Sequence, residues 1–186
     1  MAEFEKAIAL DPNSFEAHFF YARACFGQGK LERSSALFER AAEIKPDDYQ
    51  SLCMLVHNYR ALGRHRDSES AARRAIERAE DELTLHPENP RPAYLGAGAL
   101  AALGETDRAR EWIARALAID PDDVLTQYNA ACVYSLLGDI EPAFDLLERL
   151  LPHAGHELKA GWIKHDSDLD PLRSHPRYQR VLELIG

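Results

Sequence analysis

The sequence predicts an all-α fold: an α-α superhelix in which antiparallel helix pairs stack in chain order, with a C-terminal helical cap. Three observations predict it. A phrase of apolar residue, charge, proline and two polar residues recurs, as "LDPNS" at Leu10–Ser14, "IKPDD" at Ile44–Asp48 and "IDPDD" at Ile119–Asp123. Pro12 and Pro46 lie 34 residues apart, as do Pro87 and Pro121, while Pro46 and Pro87 are separated by the same period plus an insert of seven. One glycine follows each of these four prolines: Gly29, Gly63, Gly104 and Gly138. A unit of this length cannot bury its own apolar face, so successive units must stack.

The elements follow in order. Residues 1–14 read as the second helix of a truncated repeat, because Phe4, Ala7 and Pro12 match Phe38, Ala41 and Pro46. An unpartnered second helix leaves an apolar face to cover, so the chain is expected to be a fragment of a longer protein. Residues 15–48 form the first complete pair, with Tyr21 and Ala22 in one helix and Ser34, Phe38 and Ala41 in the other. Residues 49–89 form the second. Its insert keeps a helical period through Ala71, Ala75, Ala79 and Leu83, so one helix of about six turns is expected from Asp67 to His86. Its Arg73, Arg74 and Arg78, beside Glu77, Glu80, Asp81 and Glu82, read as a solvated, ion-paired face.

Residues 90–123 are the third pair (Ala97, Leu100, Ala109, Ile113, Ala116) and 124–151 the fourth (Ala130, Ala131, Tyr134, Ala143, Leu147). Small residues let paired helices approach, and large ones fill the gap between hairpins. The glycines end first helices in the left-handed conformation. Each proline stops a second helix. The polar residues after it, "NS", "DD" or "EN", cap the next helix.

After Leu151 the pattern breaks, and residues 152–186 read as capping helices. One is expected near His156–Lys164. Another starts at Ser167 or Asp168, with Asp168 as its cap and Pro171 in its first turn, and a third follows Pro176. Trp162, Leu169, Leu172, Tyr178, Val181 and Leu182 are expected to cover the open end of the last hairpin.

Composition bounds the function. The 186 residues are 46% hydrophobic and 28% charged, with a formal net charge of −9. Phosphate backbones need a basic footprint, so nucleic acid is not an expected partner. No apolar run is long enough for a membrane span and no leader pattern opens the chain. Cys25, Cys53 and Cys132 are dispersed and lack a CxxC pair, which suits buried thiols in a cytoplasmic protein.

The 34-residue period, with small and large residues at recurring places in four units, resembles the tetratricopeptide repeat over roughly residues 1–151. Two departures stand out: Val56 where a small residue is usual, and Gly96 where a large one is. The tail is similar to the closing segment of tetratricopeptide regions in some bacterial signalling proteins, including class III adenylate or guanylate cyclases. Trp162, Asp168-Leu169, Pro171-Leu172, Pro176, Arg177 and Tyr178 carry that likeness.

The resemblance implies a non-catalytic scaffold that binds a peptide or protein segment in the groove lined by first helices. Carried over position by position, the groove residues are Phe19, Arg23 and Phe26; Gln50, Cys53, His57 and Arg60; Arg91, Tyr94 and Leu95; and Tyr128, Asn129 and Cys132. Aromatic and arginine anchors suit a ligand with carboxylates and apolar side chains. The alternative for Phe19, Phe26 and Tyr94 is ordinary packing between helices. The lysine–asparagine carboxylate clamp of some relatives is not reproduced, and Asn129 stands alone in a clamp-like place. Self-association as a homodimer is the second reading.

The metal-like cluster is His153, His156 and His165 with Asp166 and Asp168. Its spacing matches no zinc pattern, and Gly155 interrupts the helix that would align the first two imidazoles. It supports only a remote alternative, a metal-dependent enzyme. No nucleophile elbow, phosphate loop or HExxH occurs; "LGAGALAALG" reads as helix packing. No cofactor is expected.

Overall fold

The computed structural model describes residues 1–186, the side chains of 157 and 160 aside. Helix α1 (Ala2–Leu10) leads into four hairpins: α2 (Phe15–Phe26) with α3 (Leu31–Ile44), α4 (Tyr49–Ala61) with α5 (His65–Leu85), α6 (Pro90–Ala102) with α7 (Thr106–Ile119), and α8 (Val124–Leu137) with α9 (Ile140–Leu150). Helices predominate and no strand occurs among the described residues.

The first helices start where side chains can satisfy the orphan N–H groups of their first turns. Ser14 accepts from the Ala17 N–H at 3.2 Å, Asp48 from Ser51 at 2.7 Å, Asn89 from Arg91 at 3.1 Å and Asp123 from Thr126 at 2.6 Å. Gly29, Gly63, Gly104 and Gly138 all have left-handed φ, between 69° and 78°. The insert lengthens α5 to 21 residues, as its period predicts.

Alanines form the seams. Ala22, Ala41, Ala72, Ala75, Ala97, Ala109, Ala131 and Ala143 are completely buried. Buried hydroxyls serve the first two hairpins as well. Ser34 Oγ donates to the Ala22 carbonyl at 2.9 Å and accepts from Asn58 Nδ2 at 2.9 Å, and Ser68 Oγ donates to the Val56 carbonyl at 3.0 Å. The Gly96 departure has a local cause. A Cβ there would lie 2.3 Å from Cζ3 of Trp112, so the indole of α7 fills the space that a large residue on α6 would take. Helix α1 rests on α2 through Phe4 stacked on Tyr21 at 5.5 Å, with Tyr21 OH donating to Glu5 at 2.6 Å.

The tail is helical in three short segments, near His156, from Ser167 and after Pro176, and only partly in α form. Beyond α9 come a 3₁₀ turn (Leu151–His153), a π-helical turn (Glu157–Trp162), α10 (Ile163–His165), a 3₁₀ segment (Ser167–Leu172) and α11 (Tyr178–Ile185). Helix α11 packs on α9, with Tyr178 and Val181 buried but Leu182 exposed. Arg177 adds ion pairs to Glu141, Asp145 and Glu148 at 2.6–3.1 Å. Trp162 does not sit on the last hairpin alone, as the end-cap expectation has it. It crosses to the first complete repeat, 5.1 Å between ring centroids from Phe26 and 6.4 Å from Tyr128. Asp168 is not the helix cap: Asp166 accepts from the Asp168 N–H at 2.8 Å and so starts the 3₁₀ segment, which frees the Asp168 carboxylate.

Candidate binding surface

The first helices α4, α6 and α8 lie side by side, and the Ser167–Leu172 segment continues the row against α8. The groove positions that the sequence places on α4, α6 and α8 belong to this row, and the chain's own tail contacts part of it. Three groups make the contact.

The first is the Trp162 indole. It lies edge-on to Phe26, with the Arg23 guanidinium over its ring at 5.0 Å. Two glycines permit this approach. A Cβ on Gly27 would stand 3.1 Å from the indole, and one on Gly161 would stand 3.0 Å from the Gly27 carbonyl oxygen.

The second group is the Asp168 carboxylate. It accepts from His57 Nδ1 at 2.9 Å and forms an ion pair with Arg60. The third is Asp166, which accepts from Tyr128 OH, lies 3.6 Å from Cys132 Sγ and stands 3.3 Å from His57 Nε2. His57 is thus bracketed by two carboxylates, and its ring also meets Phe26 edge-on at 4.9 Å.

Electrostatics follow from this geometry. Burial alone would push the His57 imidazole down, but the Asp168 and Asp166 charges outweigh it and raise the pKa to about 9. Burial would raise Asp168 too, yet His57 and Arg60 hold it below the usual carboxylate range. Asp166 is pushed up by burial, only partly offset by His57. Burial, then the Asp166 charge, drives the Tyr128 phenol and the Cys132 thiol well above their ordinary values, so neither ionises near neutrality. Two carboxylates, an imidazolium and a guanidinium therefore form a charge-balanced, largely buried cluster.

The other expected positions are distributed around this contact. Phe19 is core, 5.4 Å from Phe15 and 5.6 Å from Phe38. Tyr94 is buried and accepts from Arg91 Nε at 3.2 Å, while Arg91 Nη1 donates to Gln50 at 3.2 Å. Asn129 donates to its own helix at the Leu125 carbonyl, 2.8 Å away. Two cavities of about 50 Å³ each flank the wall shared by Met54, Tyr94, Leu95 and Asn129. One reaches Arg23, Gln50, Arg91 and Trp162, the other His57, Arg60 and Asp168. A wider recess of about 400 Å³ lies on the side of the second helices, between α3 and α5, walled by Glu39, Glu43, Tyr59 and Arg74. Its polar rim bears no relation to the tail contact.

The metal-like grouping of His153, His156 and His165, the remote alternative of the sequence, does not assemble among the described residues. His153 and His156 are exposed, and His165 lies over Gly29, where a Cβ would meet its Nδ1 at 3.1 Å. Among the described residues, the trio whose possible ligand atoms lie within 4.8 Å of one another is His57, Asp166 and Asp168. There the imidazole nitrogens already face carboxylates and Arg60 already neutralises Asp168, so the donors suit an ion-pair cluster better than a divalent cation. The groove role of Trp162, Asp166 and Asp168 escaped sequence reasoning. The available signal was complementarity: an indole and a D-x-D pair in a chain whose groove positions call for such groups.

Two family models, each described as tetratricopeptide repeat, match residues 1–55 and 53–124. No curated protein matches the chain in sequence. Among solved structures, it is similar to TTC0263, a thermophilic TPR protein of Thermus thermophilus, at 19% identity and a TM-score of 0.55, with 92% of this chain and 91% of that one covered. It is also similar to a Podosopora anserina protein with nearly identical TPR-like repeats, at 18% identity and a TM-score of 0.50, covering 94% of each chain. At these identities the likeness shows the fold. No helix is long and apolar enough to cross a membrane among the described residues.

Proposed function

Since the chain belongs to the tetratricopeptide-repeat family, whose fold is commonly a protein-interaction scaffold, we propose that it is a non-catalytic scaffold that binds a peptide or protein segment on its inner face. One observation carries this reading: that face already grips a segment of polypeptide through an indole and two carboxylates. Beside the tail, the cleft lined by Gln50, Met54, Arg91, Tyr94, Leu95 and Asn129 offers apolar walls and an exposed guanidinium. A partner segment with a carboxylate for Arg91 and apolar side chains over Met54 and Leu95 fits that cleft. The tail's likeness to closing segments of bacterial signalling proteins supports a place within such a protein.

The test is selection of displayed peptides on the purified chain, followed by calorimetry with wild type and Arg91→Glu. Acidic, apolar peptides are expected to be enriched and to bind the variant at least ~10-fold more weakly, the loss of about 1.4 kcal/mol that one charge-assisted contact supplies. Peptides that bind both proteins equally well would remove the cleft from consideration.

A further inference from the structure

We propose that the Gly161–Asp168 stretch is an exchangeable internal ligand, and that the partner segment which replaces it repeats its pattern: glycine, indole, then carboxylates four and six residues after the indole. The inference rests on the inner face being a binding surface, and it names that surface's ligand chemistry.

The pattern is set by what each position meets. Gly161 favours the absence of a side chain, because a Cβ would crowd the Gly27 carbonyl oxygen at 3.0 Å. Trp162 fills the space between Phe26 and Tyr128 beneath the Arg23 guanidinium. The carboxylate at Asp166 receives Tyr128 OH, and the one at Asp168 receives His57 and Arg60. The receiving groups lie on α2, α4 and α8, at positions that resemblance assigns to ligand contact. The chain is thus reading its own tail with the surface expected to read a partner.

Exchange rather than permanent closure follows from how the contact is made. The seams between helices are apolar, built of alanine, leucine, isoleucine, valine and aromatic side chains. The tail contact instead removes two carboxylates, an imidazole and a hydroxyl from water and satisfies them incompletely. Ser167 Oγ is buried without a hydrogen-bond partner, and His57 Nε2 has only its 3.3 Å ion-pair contact with Asp166, outside hydrogen-bond geometry. Local opening returns these groups to water, so it costs less than separating a seam of equal area. The flanks permit such an opening. Pro152, His153, Gly155 and His156 are exposed or half-buried, and a Cβ on Gly155 would meet nothing within 4 Å. At the other end, Leu169 and Leu172 are fully buried and mark where the opening stops. The Trp162 indole and the fully buried Ile163 are the main apolar contacts surrendered.

The experiment uses the full chain, wild type and Trp162→Ala/Asp168→Asn, with a fluorescein-labelled peptide of the sequence of residues 157–172. Saturable binding to the double variant is expected, at least ~10-fold tighter than to wild type, and lost when the peptide carries asparagine at both aspartate positions. No saturable binding to the folded variant, or equal binding to both proteins, would overturn the proposal. Hydrogen exchange on the wild type keeps it falsifiable if the variant does not fold. Amides of residues 162–168 are expected to exchange at least ~10-fold faster than those of α4 and α6, and equal protection would show that the segment opens only with the whole fold. Arg91→Glu separates this idea from the cleft reading. Failure of the cleft reading shows as displayed peptides that bind wild type and Arg91→Glu equally well, whereas failure of this proposal shows as no saturable binding of the tail peptide to the double variant.

Discussion

His57 shows how one side chain can tie distant parts of this fold. Its nitrogens face Asp168 and Asp166, more than a hundred residues along the chain, and the folded protein holds its proton up to about pH 9. A free imidazole titrates near ~6.5. Stability from this group is therefore complete below about pH 6.5 and is lost as pH rises through 9. Near neutrality the contribution is at most about 3 kcal/mol, at ~1.4 kcal/mol per unit. Urea unfolding at pH 6.5, 8 and 9.5 should show wild-type stability falling across that window and a flatter profile for His57→Gln. Parallel profiles would mean that the tail contact does not use the imidazolium.

Gly96 makes a second point at this scale. Gly96→Ala should destabilise by about 1–2 kcal/mol, since overpacking against Trp112 exceeds the helix-propensity gain of alanine. Gly96→Ala/Trp112→Leu should recover most of the loss in the same urea titration. The caps at Ser14, Asp48, Asn89 and Asp123 were legible in sequence because a cap is a local device. The pairing of Gly96 with Trp112 was not, because nothing local says that a ring from the next helix fills a missing side chain. For the same reason Asp168 read as a cap: proximity to a helix start was visible, and the His57–Arg60 pair was not.

Among the elements, the second helices differ in how they are tied to the first. In the first hairpin, Ser34 bridges the Ala22 carbonyl and Asn58 of the next repeat. One period later Ser68 donates to Val56, while Ala109 and Ala143 hold the corresponding places in the third and fourth repeats. The hydroxyl is thus an alternative to close alanine packing, and it gives the fully buried Asn58 amide an acceptor. Ser34→Ala should cost about 1–3 kcal/mol by stranding that amide. Ser34→Ala/Asn58→Leu should cost less than the single change in chemical denaturation, since no buried amide then lacks a partner. If the double variant loses as much as the two singles summed, Asn58 is held by something other than Ser34. The existence and pairing of α2 through α9 were readable from period and punctuation, down to the longer α5. The tail's path was not, because its π-helical and 3₁₀ turns carry no period and its contacts are set by the groove.

At the scale of the molecule, a stack of repeats is held by contacts between neighbours, so its ends fray independently of its middle. This chain adds a contact of another kind. Trp162 and His165 reach the turn after α2, Asp168 reaches α4 and Asp166 reaches α8, so the tail closes a loop between the first complete repeat and the last. Such closure couples the unfolding of α1–α3 to that of α8 and α9. Wild type should therefore unfold in one transition by both helical signal and tryptophan fluorescence, a test of two-state behaviour. Trp162→Phe/Asp168→Asn keeps an aromatic ring but weakens the clasp. Its helical signal should broaden, with amides of α2 and α3 losing hydrogen-exchange protection before those of α6. A clasped solenoid and an open one share every neighbour contact, so a difference confined to cooperativity would come from the tail alone, and a variant that still melts in one step would place the coupling in the seams.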